Sequence, residues 1–96
     1  MKTILDIDKI SRKKFINEKD FFELNEEKRN YYIGWSEGLC FIKNSINEDE
    51  SSTKCHINFM IDCLLKKINR EKNSGVNDFS FGWLEGYLES LKWFLE

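Results

Sequence analysis

Cys40, Cys55, His56 and Cys63 are the side chains best suited to chemistry in this chain of 96 residues. Thiolates and an imidazole are the usual ligands of zinc. Their spacing does not suit that use: no two cysteines are separated by two residues, and Cys55 and His56 are sequence neighbours that would point about 100° apart on a helix. A nucleophilic Cys-His pair fails similarly, because His56 is the single histidine and no activating helix terminus or oxyanion loop accompanies it. Three cysteines are an odd number for a disulfide framework, so reduced thiols, buried or half-buried as small apolar groups, are expected.

A second candidate is a pair of carboxylates. Residues 31–38 read YYIGWSEG and residues 79–86 read FSFGWLEG, which sets Glu37 and Glu85 at equivalent places 48 positions apart. If the two copies cross about a pseudo-twofold axis, the carboxylates converge, as acid/base pairs and cation sites require. Without a third acid or a histidine beside them, solvation or a hydrogen bond from a Trp N–H or Tyr O–H is the expected use. No catalytic, metal-binding or cofactor-binding residue is assigned, and a non-enzyme is expected.

The third candidate is a surface. Phe59, Lys66, Lys67 and Arg70 share one helical face with Cys55, His56 and Cys63. A ring among cations can stack a base and hold phosphate. The simpler explanation is that the segment KKINREK, residues 66–72, ends a helix whose dipole favours positive charge there.

The elements that must position these groups follow from periodicity. Asn25 before Glu26 and Glu27 predicts an N-cap with acids in the first turn, opening a helix over about 26–46. Residues 47–53, NEDESST, predict a loop ending in Ser/Thr caps. Ile57, Met60, Ile61, Leu64 and Ile68 then mark the apolar side of a third helix, stopped by NSG at 73–75. Asn77 or Asp78 caps a last helix over about 79–95. The segment before Asn25 predicts a short helix or helix pair around the basic run Arg12-Lys13-Lys14.

The repeat carries the packing expectation. Gly34 and Gly38, like Gly82 and Gly86, stand four apart on one face, and four helical glycines cost about 4 kcal/mol relative to alanine. Close approach of two helical backbones offsets that cost, with Tyr31, Trp35, Phe79 and Trp83 walling the contact. The last helix also carries Leu84, Leu88, Leu91 and Leu95, a second apolar stripe that needs a cover. It is either the central helix of the monomer or a homodimer seam. The expected fold is therefore all-α: one domain over 1–96, a compact bundle of about four helices built around a pseudo-repeat of two Gly-Trp helices.

A net charge of −2 marks neither a general nucleic-acid binder nor an acidic mimic of nucleic acid, so a charged partner must be met by a patch; no apolar run is long enough to span a bilayer, and a cytoplasmic protein without membrane contact is expected. Alanine, proline and glutamine are absent while Lys, Asn, Ile and Glu abound, a bias of AT-rich bacterial or phage genes. Small helical proteins of this kind commonly bind and block a larger machine. The expected function is a phage or mobile-element inhibitor of a bacterial enzyme or defence complex, anti-CRISPR-like, meeting a larger bacterial protein through acidic patches such as Glu48-Asp49-Glu50 or Glu85/Glu89. A toxin-neutralising immunity protein, a nucleic-acid or nucleotide binder and a small-molecule sequestering protein are the alternatives.

Overall fold

The computed structural model describes residues 2–14, 18–46, 49–74 and 80–96. They form five helices: α1 (Ile4–Lys14), α2 (Glu18–Glu23), α3 (Glu26–Ser45), α4 (Glu50–Ser74) and α5 (Ser80–Leu95), with no strand among the described residues. The fold is an all-α bundle, and the segment before Asn25 supplies a helix pair. The proposed stop at Gly75, the caps Asn77 and Asp78, the wall residue Phe79 and the acidic Glu48 lie outside the described residues.

Local chemistry sets the helix starts. Asn25, with extended backbone, accepts the Lys28 N–H through its Oδ1 at 2.9 Å and caps α3. For α1, Thr3 and Asp6 cap each other's backbone: the Thr3 N–H donates to Asp6 Oδ2 at 2.8 Å and the Asp6 N–H to Thr3 Oγ1 at 3.3 Å. The Thr3 N–H holds the Asp6 carboxyl below its ordinary range.

α4 starts inside the loop expected over 47–53, at Glu50. Asp49 is its cap, accepting from the Ser51 N–H at 3.0 Å and from Ser52 Oγ at 2.9 Å. Thr53 accordingly lies inside the helix, fully buried, with its hydroxyl within reach of the Ser45 and Asp49 carbonyls.

α5 is the centre of the bundle. α3 forms its largest interface and α4 packs beside it. Contacts along the pair advance together, Gly82 against Glu27, Gly86 against Tyr31 and Trp35, and Gly38 against Tyr87 and Ser90, so α3 and α5 run parallel. Trp35, Leu39, Ile42, Leu84, Tyr87, Leu91 and Phe94 are buried together with Ile57, Leu64 and Ile68 from α4 and Ile7 from α1. Burial of this apolar surface is the main favourable term for the fold.

The N-terminal segment closes one end. Lys2 Nζ donates to the carbonyls of Trp93 at 2.7 Å and Glu96 at 3.2 Å and lies 5.0 Å from the centre of the Trp93 ring. A cation there complements the carbonyl-rich end of α5. An Asp8–Lys43 ion pair at 3.0 Å ties α1 to α3.

Candidate functional site

The glycine motifs are used up by packing. An alanine Cβ at Gly34 would strike the Trp83 carbonyl, with Tyr87 N 3.0 Å away; one at Gly86 would strike the Tyr31 carbonyl, with Trp35 N at 3.1 Å. At Gly82 it would meet the Glu27 carbonyl oxygen at 2.7 Å, and at Gly38 the Ser90 side chain. Each glycine therefore admits part of the opposite helix. Trp35 is buried and Trp83 half-buried over this contact, with the Trp83 and Tyr87 rings edge-on at 5.2 Å.

The two copies do not meet with twofold symmetry. Symmetry would set Gly38 against position 79, yet it lies against Tyr87 and Ser90. Gly82 and Gly86 sit opposite Glu27 and Tyr31, each 55 positions apart, against a repeat spacing of 48. Over all the glycine contacts the separations run from 49 to 55, so the parallel helices are slipped on average by about one turn from an equivalent register. This slip separates the environments of the two candidate carboxylates. Glu85 lines a cleft of about 240 Å³ with Asn25, Glu27, Lys28 and Tyr31, whereas Glu37 lies exposed near Tyr87 and, after burial, helps raise that phenol's pKa.

Periodicity alone did not reveal the hydrogen-bond chain across this pair. Trp35 Nε1 donates to the Tyr31 hydroxyl at 3.1 Å, and that hydroxyl donates to Glu89 of α5. Burial, followed by the hydrogen bond to Glu89, pushes the Tyr31 phenol up to about 12. Tyr31 and Glu89 are 58 positions apart, so their meeting depends on the slipped register.

Of the two covers expected for the leucine stripe, the central helix of the monomer is the one found, and the dimer seam is corrected. Leu84, Leu88 and Leu91 are buried and Leu95 is half-buried within the single chain. A central helix needs apolar residues on both sides, and α3 and α4 cover them.

The thiols also depart from expectation. Cys40, Cys55 and Cys63 are all exposed, because they fall on the outer faces of α3 and α4 while Ile42, Ile57 and Leu64 take the inner positions. No group of three or more metal-ligating side chains occurs among the described residues. His56 instead packs edge-on against Phe41, with ring centres 5.3 Å apart.

Outside the core, α4 carries a continuous stripe, while Leu5 of α1 and Phe22 of α2 are also exposed. Phe59 is 66% exposed, and with Ser52, Cys55 and His56 it lines a shallow groove of about 440 Å³. Cys63, Lys66, Lys67 and Arg70 continue this face toward the helix C-terminus, all exposed. The three cations make no ion pair among the described residues. Ile57, Leu64 and Ile68 hold the opposite face in the core and thereby fix the stripe outward.

No family model, curated protein or solved structure matches the chain. Function must therefore be inferred from the site itself. No helix among the described residues is long and apolar enough to cross a membrane.

Proposed function

We propose that this protein is a non-enzymatic binding module, an anti-CRISPR-like inhibitor that docks on a larger bacterial protein or complex through the outer face of α4. The observation that carries the reading is the contrast between α5 and α4. The apolar surface of α5 is largely consumed within the chain, while α4 leaves Phe59 exposed beside three cations without ion-pair partners among the described residues. An aromatic anchor with a polar, charged surround is the usual composition of a binding hot spot. The interlocked α3–α5 pair gives that face a rigid support, which limits the ordering cost of association.

The test is capture from bacterial lysate on the immobilised full chain, with and without nuclease, using native protein and Phe59→Ala. The expected result is a discrete protein partner retained after nuclease treatment and lost with Phe59→Ala. Capture that vanishes with nuclease, or that is indifferent to Phe59, would overturn the reading.

A further inference from the structure

We infer that Cys55 is a site of reversible thiol modification that switches the docking face off: a mixed disulfide formed there with a small disulfide of the glutathione class fills the groove beside Phe59. This inference rests on the reading of the outer face of α4 as the docking face and names its regulation.

Position sets Cys55 apart from the other two thiols. All three cysteines are exposed, which is the first requirement for thiol chemistry. Cys40 stands on α3, and Cys63 lies about one turn beyond Phe59 along α4. Of the three, Cys55 is the one that lines the groove of about 440 Å³, together with Ser52, His56 and Phe59. None of these four lining residues is acidic, so a reagent that carries carboxylates meets no like charge among them.

The same placement couples the thiol to docking. Cys55 and Phe59 stand four apart on α4, with their Cβ atoms about 5–6 Å from each other on one face. An adduct on Cys55 therefore lies in the groove and against the exposed ring. An aromatic anchor acts by entering a desolvated pocket on its partner. A bulky group with carboxylates beside that ring blocks entry and adds charge that docking would have to strip of water.

The exchange balances between the two reactants. The Cys55 thiolate attacks one sulfur of the small disulfide; a bond forms between that sulfur and Cys55 Sγ, and the reagent's own S–S bond breaks. The other half leaves as a thiolate and takes up from solvent the proton that Cys55 released. Cys55 is oxidised, the leaving half is reduced, and excess thiol reverses the step.

Single-cysteine chains test this: Cys40→Ser with Cys63→Ser keeps Cys55, and Cys55→Ser with Cys63→Ser keeps Cys40. Each full-length chain, immobilised through an affinity tag, is treated with glutathione disulfide and checked for its adduct by mass spectrometry. Capture from nuclease-treated bacterial lysate is then compared with that of the untreated chain. The adduct at Cys55 should abolish capture and dithiothreitol should restore it, while the adduct at Cys40 should leave capture intact. Both positions are exposed, so each adduct should melt at the temperature of its untreated chain. Failure of Cys55 to form the adduct, equal loss from the Cys40 adduct, or loss accompanied by a lowered melting temperature overturns the inference. Capture that depends on Phe59 yet survives the Cys55 adduct removes the switch and leaves the proposed function standing. Absence of capture by the untreated native chain removes both.

Discussion

Replacing Gly86 with alanine sets two opposing effects against each other in the α3–α5 pair. Within an isolated helix the change is worth about 1 kcal/mol in favour of folding. Across the interface, the new Cβ would press on the Tyr31 carbonyl, with Tyr31 C at 3.0 Å and Trp35 N at 3.1 Å. All of these are backbone atoms, so no change of rotamer makes room and the two helices must part. A gap of about 0.5–1 Å already forfeits a quarter to a half of each dispersion contact it opens. The contacts at risk include those of Trp35, Leu39, Leu84 and Tyr87. Overpacking costs about 1–3 kcal/mol, and a backbone-on-backbone clash belongs at the upper end. After subtracting the propensity gain, the net loss is about 2 kcal/mol, a fall in melting temperature of roughly 8–16 °C for a domain of this size. Thermal and urea unfolding followed by circular dichroism measure it. An unchanged or raised melting temperature would refute close helix approach as the reason for glycine here. Gly82→Ala should cost less, because its clash is with Glu27 in the first turn of α3, where the helix end can shift.

Three further outcomes follow from the same contacts. Asn25→Ala removes the cap on α3 and should lower stability by about 1 kcal/mol in urea unfolding, whereas Asn25→Asp should retain it. Leu91→Asp puts a carboxylate at a fully buried position between α3 and α4, so loss of cooperative unfolding is expected; a folded variant with native melting behaviour would contradict the central place of α5. In ultraviolet titration one tyrosine should ionise at about 12, and Glu89→Gln should lower that value by replacing the charged acceptor of the Tyr31 hydroxyl with a neutral amide oxygen. The sign follows from linkage. Tyr31 keeps its proton more tightly in the folded chain, so its contribution is complete below pH 10 and is lost as pH rises from 10 towards about 12.

Much of the fold is local and therefore legible in the residues. The helix over 26–46 needed only Asn25, the two acids after it and the apolar period, and it is found as Glu26–Ser45 with that cap. The inner stripe of α4 follows equally from the spacing of Ile57, Leu64 and Ile68, and it fixes the opposite face of Phe59, Lys66, Lys67 and Arg70 outward. The start of α4 was readable too: Asp49 followed by Glu50 is a cap signal, obscured by the serines and threonine after it.

What the chain alone determined is which side of each helix is apolar and that paired glycines need a close neighbour, since both depend on residue type and a period of 3.6. Tertiary structure decided which neighbour and in what register. Parallel packing with a slip of about one turn places three carbonyls and the Ser90 side chain, rather than the sister glycines, in the notches, and joins Tyr31 to Glu89 across 58 positions. It also decided that α3 and α4, not a second copy, cover Leu84, Leu88 and Leu91, and that Lys2 closes α5 from 91 residues away. Periodicity shows that an apolar stripe must be covered; the cover itself depends on how whole helices fit together, and no single segment encodes that.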